Sequence, residues 1–376
     1  MAKKVISGSE AVAEAVKLCD PKVIAVYPIT PQTHIVEGLA KMVANGDLDA
    51  EMVRVESEHS AMAACIGAQA TGTRSYTATA GQGLALMHEM VFIAASMRLP
   101  IVMTVANRTL SGQLNIWNDH QDSFCERDSG WIQLYVEDAQ EAYDTHIQAF
   151  KIAQEMRTPV MVCLDGFVIS HTYEPVESLD KETVSKFLPP YKPEVSLNPA
   201  KPITLGSVGM PNYFMQFKKQ QQDSLEKSLD TIKQVNREFA SVSSRSYGNG
   251  LVEKVNMEGK KHALITLGSV AGTARELLEK EGMGMIRIRA LRPFPKDDLV
   301  KACEGLETVG VLEKDISLGS NGALYDEIKS ALYSSASRPK VLGMIAGLGG
   351  RDITLEDMKS VFDKIKSGKE GTEWLV

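Results

Sequence analysis

The residues best able to do chemistry in this chain gather at four places. In EMVRVESEHSAMAACIGAQATGT (51–73) an apolar, β-branched run meets Glu56, Ser57, Glu58 and His59 in a row. Ser57 is a good N-cap, and Glu58 suits the first turn of a helix, where the macrodipole favours an anion. The helix beyond carries Ala61, Ala63, Ala64, Gly67, Ala68, Ala70 and Gly72, which leave it almost no side-chain bulk. Something large must approach that backbone closely. A carboxylate at its mouth is therefore a candidate ligand contact and active-site acid as well as a helix start.

In VYPITPQT (26–33), Pro28 and Pro31 fix φ at two points and remove two donors. Pro31 is expected to open the next helix with Thr30 as its N-cap. Pro28, beside Ile29, has no such explanation and stiffens a strand end where a ligand would sit. In TATAGQGLALM (77–87), the amides of Gly81, Gln82 and Gly83 lie between a strand and a helix and are expected to face a ligand. The stretch is not a dinucleotide fingerprint, because Leu86 stands where GxGxxG needs glycine or alanine. No Walker A motif occurs either.

Arg108 follows the strand-like IVMTVAN, and its planar fork suits a substrate carboxylate. After it comes SGQLNIWNDHQDSFCERDSGW, a loop of about twenty residues with no clear periodicity, a length that usually signals function or disorder. Asp119, His120, Asp122 and Asp128 form a conceivable metal set there, but Asn/Asp/Ser-rich loops make Asx-turns for local reasons, and no metal site is assigned. The cysteines at 19, 65, 125, 163 and 303 are too scattered for a zinc or iron–sulfur clip or a disulfide framework.

The elements that must hold these residues alternate. Strand-like runs at 23–29, 52–56, 75–80, 101–107 and 160–167 are separated by helical patterns at 32–45, 58–71, 83–98 and 139–157. This is the α/β pattern of a parallel sheet with covering helices, whose ligands sit at strand carboxyl ends. Helix 83–98 is apolar nearly all round, which points to burial at a subunit interface. From 174 to about 202 a Pro- and Lys-rich stretch reads as a connecting arm, followed by a polar helix over 214–242. Strand-like runs return at 263–269, 285–291, 308–314 and 341–347, a second, smaller α/β unit.

A net charge of −7 over 376 residues disfavours a nucleic-acid tracker, and the most apolar stretch is too short to span a bilayer. Without an apolar leader after MAKK, the chain is expected to be cytoplasmic.

Taken together, YPITP, ESEHSAMAACIGAQATGTRSYTATAGQGLALM and ANRTLSGQLNIWNDHQDS resemble the alpha subunits of the 2-oxoacid:ferredoxin oxidoreductases, nearest the pyruvate (pyruvate synthase) type. LGSVAGTARE and RALRPFP extend the resemblance more loosely to the second unit. The resemblance implies a pyrimidine-binding thiamine diphosphate domain over 1–195, a connecting arm and helix over 196–256, and a transketolase C-terminal-like domain over 257–376. It implies that Glu58 hydrogen-bonds the aminopyrimidine ring, that Thr30 and Arg108 hold the 2-oxoacid, and that Pro28, Ile29, Gly81 and Gln82 line the cofactor. Glu56 and His59 inherit no role.

The chain has no GDG…N segment for magnesium and diphosphate and no cysteine spacing for an iron–sulfur cluster. The resemblance places Mg2+ and the diphosphate half on a beta subunit and [4Fe-4S] clusters on partner chains. Gamma and delta subunits and ferredoxin complete the implied set, with coenzyme A as co-substrate. Helices 58–71 and 83–98 are the expected beta-facing surface. The implied reaction is reversible oxidative decarboxylation of pyruvate to acetyl-CoA and CO2. The alternatives are a 2-oxoisovalerate-type alpha subunit, the beta subunit of a lipoate-dependent E1, and a non-catalytic assembly subunit.

Overall fold

The computed structural model describes residues 2–110 and 112–375. It begins with β1 (Ala2–Ser7), and Ser7 closes a capping box with Glu10 at the start of α1 (Gly8–Leu18). The predicted alternation follows. β2 (Val23–Val26), α2 (Thr33–Ala44), β3 (Glu51–Arg54), α3 (Glu58–Ala70) and β4 (Ser75–Thr79) come in order. α4 (Gly81–Leu86) and α5 (His88–Ser96) lead to β5 (Val102–Asn107).

Several local expectations are corrected here. α2 starts at Thr33 rather than at Pro31, and its N-cap is Gln32, whose side chain instead donates to the Tyr27 carbonyl at 2.8 Å. Thr30 is therefore not a helix cap, and the Thr30–Pro31 bond is cis. The run at 52–56 begins in an edge strand whose residues are partly exposed, because β3 has a neighbour only in β2. The helix expected over 83–98 is two helices that meet at Met87, whose backbone leaves the helical region.

The long loop after Arg108 contains a short helix, α6 (Gln121–Cys125), and ends in an unforeseen strand, β6 (Ile132–Tyr135). That strand is fully buried but too short to show a period. α7 (Ala139–Met156) is capped by Asp138, which accepts from the Glu141 amide, and β7 (Val160–Asp165) follows. Part of the expected connecting arm is ordered differently. Tyr173–Ser178 forms β8, antiparallel to β1, and Lys181–Phe187 forms α8. Pro175 fits there because neither strand of this pair has a second neighbour. The polar helix, α9 (Pro211–Ser243), is 33 residues long and buries only its C-terminal half.

The second unit contains β9 (Val252–Val255), β10 (His262–Thr266), α10 (Val270–Arg275) and β11 (Gly284–Ile288). It continues through β12 (Ala290–Arg292), α11 (Lys296–Ala302), β13 (Thr308–Glu313) and α12 (Ala323–Tyr333). β14 (Lys340–Ile345), α13 (Leu355–Lys366) and β15 (Gly371–Trp374) complete it. The run 285–291, read as one strand, is divided between two sheets. β11 lies in the six-stranded sheet β15-β14-β13-β10-β11-β9, while β12 joins the edge of the seven-stranded sheet β12-β6-β7-β5-β4-β2-β3. The first sheet is parallel from β6 to β3, and only β12 runs against it.

One face of the first sheet packs Ile24, Tyr76 and Val162 against α1 and α7. The other face packs Met103, Val105 and Met161 with Met62, Leu84 and Val91, and this core continues without a break into Ile265 and Ile286 of the second sheet. Charge reinforces the junction. Glu141 of α7 accepts from Arg287 Nη1 and Arg289 Nε, each at 2.6 Å, with all three side chains buried. The two arginines alternate along the RIR register, so both reach the same helix.

Candidate active site

Parallel strands deliver their loops to one edge, and β5, β4, β2 and β3 lie side by side in that order. Thr30 follows β2, Glu58 follows β3, Gly81 follows β4 and Arg108 follows β5. These sequence positions, far apart along the chain, are thus neighbours in space. Arg108 Nη1 donates to the Thr30 carbonyl at 2.9 Å. Tyr27, Pro28 and Thr30 are exposed, with Ile29 half-buried, so this rim faces outward.

Ser57 caps α3 by accepting from the Ser60 amide at 3.3 Å, as the sequence suggests. Glu58 is the first residue of the helix and is 5% exposed. Burial raises its pKa, against the opposing pull of its own backbone amide and of the Arg108 guanidinium. A carboxyl in this state takes and gives a proton closer to neutrality than a surface glutamate does. Glu56 and His59 point elsewhere: Glu56 accepts from the Ser60 hydroxyl, and His59 lies 3.6 Å from Glu89.

The turn after β4 is shaped by the side chains of Glu58 and Arg108. A Cβ on Gly83 would lie 2.5 Å from Glu58 Oε1 and 2.6 Å from Thr79 Oγ1. A Cβ on Gly81, whose φ is +47°, would lie 3.0 Å from Arg108 Cδ. The GQG stretch is glycine-rich because an acid and a guanidinium press on it. The expectation that its amides face a ligand is corrected at two of the three: Gly81 N–H is donated to Asp122 Oδ2 at 2.9 Å and Gly83 N–H to the Ala80 carbonyl at 2.9 Å. Gln82, half-buried between them, stays on the rim.

Arg108 is 7% exposed, and its Nε is buried without a hydrogen-bond partner among the described residues. Burial lowers its pKa, opposed by Asp122 and Glu58, and the side chain stays cationic. A buried donor left open at the mouth of a strand edge fits an anionic ligand.

The four residues weighed as metal ligands do not converge. Asp122 turns inward to backbone amides. Asp119 accepts from the Gly349 amide at 3.2 Å, and His120 Nε2 meets Asp165 Oδ1 at 2.7 Å. Asp128 lies outside, 3.8 Å from Arg292. Behind the rim, Lys314 Nζ donates to Asp165 Oδ2 and Asn118 Oδ1, both at 2.9 Å, so the loop after Arg108 is pinned to the second unit. Burial alone would raise the Asp165 pKa, but Lys314 and His120 hold it well below the usual carboxylate range.

Sequence reasoning missed Asn107, Asp165 and Lys314. Each is a polar residue ending or following an apolar strand, the same signal that singled out Arg108.

Known proteins are similar to this chain along most of its length. A family described as "Pyruvate flavodoxin/ferredoxin oxidoreductase, thiamine diP-bdg" matches residues 14–237, and "Pyruvate:ferredoxin oxidoreductase core domain II" matches 261–358. The pyruvate synthase subunit PorA of Methanocaldococcus jannaschii is 54% identical over 382 residues, covering 99% of this chain and 97% of the relative. The ketoisovalerate oxidoreductase subunit VorA of Pyrococcus abyssi is 43% identical, covering 99% of this chain and 97% of the relative.

Among solved structures, a 2-oxoglutarate:ferredoxin oxidoreductase from Magnetococcus marinus, with 2-oxoglutarate, coenzyme A and succinyl-CoA bound, matches in fold with a TM-score of 0.72 at 20% identity. That match covers 97% of this chain, which spans 65% of the other. Among the described residues no helix is long and apolar enough to cross a membrane. The chain belongs to the pyruvate flavodoxin/ferredoxin oxidoreductase family.

Proposed function

We propose that this chain is the alpha subunit of a pyruvate synthase, a multisubunit oxidoreductase that converts pyruvate and coenzyme A to acetyl-CoA and CO2 with ferredoxin as electron acceptor. The observation that carries the reading is the meeting of Glu58, Arg108 and Thr30 on one edge of the first sheet, with glycine beside the Glu58 and Arg108 side chains. Thiamine diphosphate, when bound, supplies the nucleophilic carbon and the electron sink for decarboxylation.

This chain's residues fit the pyrimidine end of that group. Glu58 is a buried acid with a raised pKa, suited to sharing a proton with a ring nitrogen. Pro28, Ile29, Gly81 and Gln82 would line the pyrimidine end of the cofactor. Arg108 and the Thr30 hydroxyl hold the 2-oxoacid, Arg108 through its carboxylate. Because that carboxylate leaves as CO2, the work of Arg108 is binding and orientation.

The diphosphate, its Mg2+ and the [4Fe-4S] clusters fall to partner chains: a beta subunit for the first two, gamma and delta subunits for electron transfer. The beta subunit meets the exposed rim at Tyr27, Pro28 and Thr30 and the small outward residues of α3, where Gly67 has open space beside it. Leu86, 53% exposed at the end of α4, extends that face.

The test is the complex reconstituted from this chain and its partner subunits, assayed with a panel of 2-oxoacids. Pyruvate- and coenzyme A-dependent reduction of a ferredoxin-type dye is expected, and Arg108→Ala should raise the pyruvate KM by about tenfold or more. Acyl transfer to lipoate in place of dye reduction would contradict the reading. Preference for 2-oxoisovalerate over pyruvate would instead assign the chain to the branched-chain type, the activity named for its VorA relative.

A further inference from the structure

Asp122 stands where the turn after β4 crosses the turn after β5, and the proposed chemistry leaves it without a task. It is 1% exposed. Its Oδ2 accepts from the Gly81 and Arg108 amides, both at 2.9 Å. Its Oδ1 accepts from Asn107 Nδ2 at 2.8 Å and from the Ser123 amide at 2.7 Å. All four partners are donors, so only a group with two accepting oxygens satisfies them, and a carboxylate is that group. A buried carboxylate is hard to desolvate, and a simple loop tie does not require one.

We propose that Asp122 is a positioning residue for substrate binding: it locks the Arg108 backbone to the Gly81 turn and so registers the guanidinium against Glu58. The inference rests on the reading of Arg108 and Glu58 given above. Its geometry is a chain of contacts. Gly81 sits against the stem of Arg108, Gly83 against the Glu58 carboxyl, and Arg108 Nη1 reaches back to the Thr30 carbonyl. If the turn at 80–83 slides relative to residues 107–109, the acid and the cation lose their common reference. Asn107 supports the clamp from behind, sharing its side-chain amide between Asp122 and Ser123 Oγ at 2.7 Å.

The test uses the assembled complex and compares Asp122→Asn, Asp122→Ala and Arg108→Ala. It reads pyruvate KM, kcat, and amide hydrogen exchange in the segments around Gly81 and Arg108. Asp122→Asn sets an NH2 against one pair of N–H donors, and Asp122→Ala removes all four acceptor bonds. Exchange is expected to rise in both segments together. KM should rise about threefold to tenfold for Asp122→Asn and by about tenfold or more for Asp122→Ala, with kcat at saturation falling less than KM rises.

If Arg108→Ala raises KM while Asp122→Ala leaves it at the parent value, the positioning role is overturned and the reading of Arg108 stands. Faster exchange with an unchanged KM overturns it equally. Where Asp122→Ala fails to assemble, Asp122→Asn decides by the same criterion. An unchanged KM in Arg108→Ala removes the substrate reading itself, and the positioning role with it, even where exchange still reports the clamp.

Discussion

At the scale of residues, the site is defined by what glycine makes room for. Gly83 has no freedom to carry a side chain, because Glu58 Oε1 would stand 2.5 Å from its Cβ. Gly83→Ala is therefore expected to move Glu58 from its seat and to lower kcat by about tenfold or more, while the chain still folds and assembles. A parent-like kcat in that variant would show that the contact is incidental. Glu58 and Arg108 were legible in the sequence because a charge closing an apolar run is an anomaly that composition does not hide. Asp122 was not, because its partners are mainly backbone amides, which no residue type reveals, and because its neighbours make an Asx-rich loop look locally explained.

At the scale of elements, α7 ties the two sheets together through Glu141. Burial alone would raise the pKa of this glutamate, but Arg287 and Arg289 outweigh it and hold it lowered. Glu141→Gln leaves the buried Arg289 guanidinium without its counter-charge, while Arg287 keeps Glu137 and Glu253. Losing one partner of such a pair costs about 3 kcal/mol or more, so urea unfolding midpoints should drop clearly below the parent's. An unchanged midpoint would mean that Arg289 finds another acceptor. The strands with strong apolar runs were legible, as were the helices between them apart from the division of 83–98 at Met87. The pairing of β1 with β8 was not, since two short strands far apart along the chain carry no local sign of a shared register. Nor was the break after Ile288, where one strand-like run serves two sheets.

At the scale of the whole molecule, the loop after Arg108 is a bracket between the two units. Asp119 within it is buried against Gly349, and burial together with the nearby Asp122 pushes its carboxyl up to about 7 from 3.8. The folded chain therefore holds this proton over a range in which the unfolded chain has lost it. The contribution of Asp119 to stability is intact at pH below its unfolded pKa and declines as pH rises through about 7. A tenfold difference in proton affinity between the folded and unfolded chain corresponds to about 1.4 kcal/mol, so the loss between about pH 5 and about pH 8 is on the order of 3 kcal/mol. Asp119→Asn should accordingly gain stability relative to the parent over that interval. Parallel pH profiles for the two proteins would place the Asp119 pKa near its ordinary value.

In the function proposed above, Glu58 is the acid this chain contributes to a shared cofactor. The most direct measurement is the turnover of the reconstituted complex carrying Glu58→Gln, a change that keeps the shape and removes the exchangeable carboxyl proton. The expected result is an intact assembly with turnover lower by about a hundredfold or more. Turnover close to the parent's in an equally intact assembly would contradict it.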